Sequence, residues 1–117
     1  MFEVIFYETE DGKCPVELFL EGLDPKMRAK LIAILQILQD KGNLLREPYS
    51  AAIEDGIFEA RGKVGSNISR VLYFFYVDGK IILTNGFVKK TQKTPKNEIT
   101  LAKKYRKDYL ERQGEIG

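Results

Sequence analysis

Two hydrophobic periods divide the chain. Between residues 24 and 42 the apolar positions Met27, Leu31, Ile34, Leu35 and Leu38 recur at steps of four, three, one and three. That spacing puts them on one face of a helix. Asp24 stands where a side-chain oxygen caps such a helix, Pro25 suits its first turn, and Gly42 is a natural stop. A shorter helical stretch, Val16-Glu17-Leu18-Phe19-Leu20, opens at Pro15 and ends at Gly22. The pattern therefore predicts two antiparallel helices joined by a short turn. Ahead of them, Phe2-Glu3-Val4-Ile5-Phe6-Tyr7 is aromatic and β-branched and reads as a first strand.

From residue 56 onward the period changes. Gly56 to Arg61 reads as a strand, with Gly62–Asn67 as the loop that follows. Ile68 to Val77 contains the unbroken run Val71-Leu72-Tyr73-Phe74-Phe75-Tyr76-Val77, the signature of a central strand covered on both faces. Asp78-Gly79 is a two-residue hairpin signal, because both positions tolerate positive φ. Lys80 to Thr84 returns as the next strand. Thr94 is placed to cap a last helix that starts near Pro95 and carries Ala102, Tyr105 and Tyr109 as its apolar stripe. The order is an N-terminal strand, two helices, a three-strand antiparallel β-meander and a C-terminal helix: one α+β domain over residues 1–117.

A two-residue turn at Asp78-Gly79 also sets a register. Tyr76 then faces Ile81, Phe74 faces Leu83, Leu72 faces Asn85 and Arg70 faces Phe87. Arg70 falls at the open end of the hairpin, near Lys89 and Lys90, and Arg61 closes the preceding strand at the same end. Lys63 and Lys93 flank this edge. Arg70 shares a largely apolar face with Leu72, Phe74 and Tyr76, so its charge needs solvent or a partner. One candidate partner is a carboxylate such as Glu59; the other is a phosphate, whose oxygens match the guanidinium fork. Lys89, Lys90 and Lys93 precede a helix N-terminus, which itself favours an anion. Phe87 is the candidate for stacking on a base, while Tyr73 and Phe75 read as core.

Charge strengthens this picture. Residues 1–60 hold 6 Lys/Arg against 12 Asp/Glu, a net of −6; residues 61–117 hold 13 against 5, a net of +8. The overall +2 therefore hides a basic half suited to a polyanion. With no histidine, two-histidine ribonuclease chemistry and histidine-based triads are excluded. One cysteine makes neither a disulfide nor a metal site, so no metal and no cofactor is expected. No apolar run approaches the about 20 residues of a membrane span, and the N-terminus lacks a secretory pattern. The cytoplasm is the expected location.

The segments Gly56-Ile57-Phe58-Glu59-Ala60-Arg61, Ser69-Arg70-Val71-Leu72-Tyr73-Phe74-Phe75 and Gly86-Phe87-Val88-Lys89-Lys90-Thr91-Gln92-Lys93-Thr94-Pro95 together resemble the RelE/ParE toxin superfamily. They look closest to its phage-derived, HigB-like branch. The resemblance implies the toxin of a type II toxin–antitoxin pair, with a small helix-turn-helix antitoxin as partner. It further implies metal-independent cleavage of mRNA on the ribosome, by attack of a ribose 2′-hydroxyl on the adjacent phosphate. Arg70 resembles the arginine that holds the scissile phosphate, Arg61 the arginine closing the preceding strand, and Lys89 and Lys90 the basic pair after the last strand. Lys63, Lys93 and Phe87 would contact RNA. Two features depart from the pattern: Ile57 and Glu59 stand where RelE carries lysines, and no late histidine is available as a base. Lys63 or Lys93 would have to take that role. Two other readings stay open, a ParE-like poison of DNA gyrase and a nucleic-acid or partner-binding module without catalysis.

Overall fold

The computed structural model describes residues 2–89, with Lys89 by its backbone alone, and residues 93–114. Its elements run β1 (Glu3–Phe6), α1 (Pro15–Glu21), α2 (Pro25–Lys41), β2 (Ser50–Glu54), β3 (Ile57–Val64), β4 (Asn67–Tyr76), β5 (Lys80–Lys89) and α3 (Lys96–Arg112). The strands form one mixed sheet in the order β1-β5-β4-β3-β2. β1 lies parallel to β5, and β2 through β5 form an antiparallel meander. Among the described residues no helix is long and apolar enough to cross a membrane.

The sheet is covered on both faces, which explains the unbroken apolar run of β4. Val71 and Tyr73 face the core built with Val16 and Leu20 of α1 and Leu31, Ile34, Leu35 and Leu38 of α2. Leu72 and Phe74 face the other core, built with Ile57, Ile82, Phe87 and Ala102 of α3. The α2 boundaries follow from local chemistry. The Asp24 carboxylate accepts the Lys26 N–H at 3.1 Å, satisfying a donor the helix start leaves open. Gly42 ends the helix at φ 55°, a conformation that L side chains rarely adopt, and a Cβ there would meet the Phe2 ring.

Three expectations are corrected. The meander has four strands rather than three, because Ser50–Glu54 pairs with β3. Its sequence, Ser-Ala-Ala-Ile-Glu, has little β propensity of its own; the edge strand is held by the ladder to β3 and by a hydrogen bond between the Ser50 and Tyr73 hydroxyls. β3 runs on to Val64, so Gly62 to Val64 are ladder residues and the turn is only Gly65-Ser66. The β4–β5 loop holds three residues, Val77 to Gly79, so Tyr76 faces Lys80 and Phe74 faces Ile82. A bulge between Leu72 and Tyr73 then restores the expected pairs Leu72–Asn85 and Arg70–Phe87.

α3 is pinned on two sides. Arg106 Nη2 reaches Asp55 at 2.9 Å and Lys103 reaches Glu54 at 2.7 Å, both at the β2–β3 turn. From the segment after β1, the Tyr7 hydroxyl donates to Asp108 at 2.6 Å and the Tyr7 ring stacks on Tyr105. Burial, with the Asp108 carboxylate beside it, pushes the Tyr7 phenol from 10.0 up to about 12. A raised phenol pKa stabilises the fold below pH 10, and that contribution is lost as pH rises towards about 12. Urea melts between pH 9 and 11.5 are expected to show stability falling in that window, with a shallower fall in Tyr7→Phe. An identical slope in the variant would assign the loss to other groups.

Candidate functional site

Register places two arginines face to face. Arg61 of β3 is directly opposite Arg70 of β4, and Arg70 is directly opposite Phe87 of β5. Like charges so placed repel each other. Glu59 resolves the conflict. Two residues before Arg61 on the same face of β3, its carboxylate is fully buried. Its Oε2 accepts from Arg61 Nε at 3.1 Å and from Arg70 Nη1, while its Oε1 accepts the Thr94 hydroxyl at 2.6 Å. Arg61 Nη1 also reaches the exposed Glu47 at 3.1 Å. The candidate partner Glu59 is therefore the one Arg70 has. Arg70 is only 5% exposed, and burial lowers its pKa from the ordinary arginine value. The paired carboxylate makes that charge tolerable. Arg70 Nε is buried with no acceptor among the described residues.

Beyond the start of β2 the β3–β4 hairpin opens on a cavity of about 520 Å³, lined by Lys30, Pro48, Tyr49, Arg61, Lys63, Gly65, Ile68 and Arg70. Four of these carry positive charge and none is acidic. A concave cationic surface of this kind attracts anions and, through the two guanidinium forks, suits phosphate oxygens. Lys30 comes from α2, and sequence reasoning missed it. Its neighbour Leu31 packs so closely on Gly62 that a Cβ there would lie 2.9 Å from Leu31 Cδ2. That approach carries the polar side of α2 to the sheet end. A glycine inside a strand was the signal for it.

The expected residues fall into three groups. Arg61, Arg70 and Lys63 meet at the cavity. The Lys89 backbone pairs with Ile68, so the basic segment begins at the same end, while Lys90 lies outside the described residues. Lys93 is exposed, beside Thr94, and is not among the residues lining the cavity. Two placements differ from expectation. Thr94 makes no capping bond to α3, whose cap residue is Pro95; its hydroxyl goes to Glu59 instead, because a buried carboxylate is the stronger acceptor. Phe87 is 8% exposed and packs in the α3-side core with Leu72 and Ile82, so its ring offers no open face to a base. Among the described residues, no group of three His, Cys, Asp or Glu side chains is arranged to hold a metal ion.

Residues 18–107, from α1 through most of α3, match a family model described as "Phage derived protein Gp49-like (DUF891)". No curated protein matches the chain significantly. The matched span contains the whole arginine–glutamate cluster and every residue that lines the cavity. The chain belongs to the phage-derived Gp49-like family, a family of RelE-like toxins.

Proposed function

We propose that this protein is the toxin of a type II toxin–antitoxin pair, of the HigB-like branch, and that it cuts mRNA on the ribosome without a metal. The observation that carries the reading is the cavity in which Arg61, Arg70, Lys63 and Lys30 converge without a lining carboxylate. Arg70 and Arg61 bind the non-bridging oxygens of the scissile phosphate. The adjacent ribose 2′-hydroxyl loses its proton, and its oxygen attacks phosphorus. The bond from phosphorus to the 5′-oxygen breaks, and that oxygen takes a proton, with Lys89 and Lys90, the basic pair at the end of β5 in the sequence, as the donors. The products are a 2′,3′-cyclic phosphate and a 5′-hydroxyl. Lys63, which lines the cavity, is a better candidate than Lys93 for receiving the first proton. Lysines are poor bases at neutral pH. Stabilisation of the phosphorane charge by fixed cations therefore carries most of the rate. The partner is a helix-turn-helix antitoxin, and the site of action is the cytoplasm.

A second reading, a binding module without catalysis, draws on Glu59, which already takes one donor from each arginine. One experiment separates the two. Mapping mRNA 5′ ends in cells after a brief pulse of the protein is expected to show cuts within translated codons. Intact mRNA with normal growth would leave the binding module. Intact mRNA with arrested growth would move the target to DNA gyrase.

A further inference from the structure

We propose that Glu59 is the positioning residue of this site: it aligns Arg61 and Arg70 for the phosphate and ties Thr94, which precedes α3, to them. The proposal rests on the nuclease reading above. Three observations carry it. The Glu59 carboxylate has no exposed surface, so it neither meets substrate nor exchanges protons with solvent. It bonds to three pieces of chain at once, Arg61 on its own strand, Arg70 across the ladder and Thr94 after the basic segment. It also takes only one donor from each guanidinium, Nε of Arg61 and Nη1 of Arg70, and both arginines still line the cavity.

Geometry gives this arrangement a purpose. Without a shared anion, two guanidiniums at opposed ladder positions would turn apart and lose the common aim that a phosphorane needs. Glu59 holds both by one oxygen, Oε2, which fixes their separation; Oε1 holds Thr94. A carboxylate that merely competed with phosphate would need a path out of the site. Glu59 sits on the buried side, with core residues Ile57 and Leu72 beside it on the same face and across the ladder.

The test is Glu59→Gln, assayed on ribosome-bound mRNA beside wild type. Gln keeps the shape and an acceptor but removes the charge. The expected result is a kcat about 10- to 100-fold lower with KM unchanged or lower, because the cavity gains net positive charge while its arginines lose alignment. Arg Nε–H NMR signals of Arg61 and Arg70 are expected to exchange slowly in wild type, where one is bonded to Glu59 and the other buried, and faster in the variant. Unchanged kcat would overturn the proposal, and a rise in both turnover and affinity would instead make Glu59 a competitor of the phosphate. If Glu59→Gln does not fold, Thr94→Val removes one of the three bonds and leaves both salt bridges. It is expected to lower kcat at constant KM, and full kcat would overturn the proposal. Wild type that leaves mRNA whole would instead sink the nuclease reading. The arginine exchange rates then decide the positioning claim by themselves.

Discussion

Replacing Arg70 by alanine is expected to lower mRNA cleavage by about 10²- to 10³-fold, the usual effect of removing one fixed donor from a developing anionic charge. The same change is expected to destabilise the fold by about 3 kcal/mol, because it breaks a buried ion pair and leaves Glu59 with only Arg61 and Thr94. Two measurements keep these effects apart. Thermal unfolding gives the folded fraction at the assay temperature, and cleavage is then compared per folded molecule. Arg70→Lys sharpens the comparison. Its ammonium keeps a charge near Glu59 and is expected to restore much of the stability. It does not offer two parallel N–H donors, so cleavage is expected to stay low. A rate that recovers fully in Arg70→Lys would show that charge alone suffices. A rate in Arg70→Ala that merely tracks the folded fraction would remove Arg70 from the chemistry.

Leu31→Ala is expected to cost about 3 kcal/mol, within the range for deleting a buried leucine side chain. Leu31 has no exposed surface and sits on the side of α2 that meets Gly62 of β3. The cavity left behind lies where two backbones already approach closely, so collapse can fill little of it. Equilibrium unfolding in urea reads the loss directly as a lower midpoint at constant slope. A loss under about 1 kcal/mol would mean that α2 slides to close the gap. Lys30, the neighbour of Leu31, would then shift as well, and the cationic cavity with it.

Both predictions concern contacts between elements, and there the limits of legibility lie. The five apolar positions of α2, its Asp24 cap and its Gly42 stop are all where the helical period put them. The central place of β4 was legible for the same reason: a run apolar on both faces needs cover on both. The Arg70–Phe87 pair was also expected, but for an incomplete reason. The loop is one residue longer than the turn signal implied, and a bulge one residue deep cancels the shift before Arg70 is reached. Nothing in the residues of β5 announces that bulge. β2 was invisible because its small residues carry no pattern, and its existence depends on β3 offering an unpaired edge.

The sequence by itself determined the helices, the central strand, the basic half of the chain and the gathering of Arg61 and Arg70 at one end of the sheet. These follow from local periods, turn residues and charge, which need only neighbours along the chain. Only the tertiary structure decided that Glu59 joins the two arginines, that Thr94 serves Glu59 rather than its own helix, that Phe87 is core, and that Lys30 faces the cavity. Apart from the Glu59–Arg61 bond within β3, each is a choice among partners distant in sequence. Burial makes that choice: once a charged group leaves water, it must take whichever opposite or polar group the packed fold brings within reach.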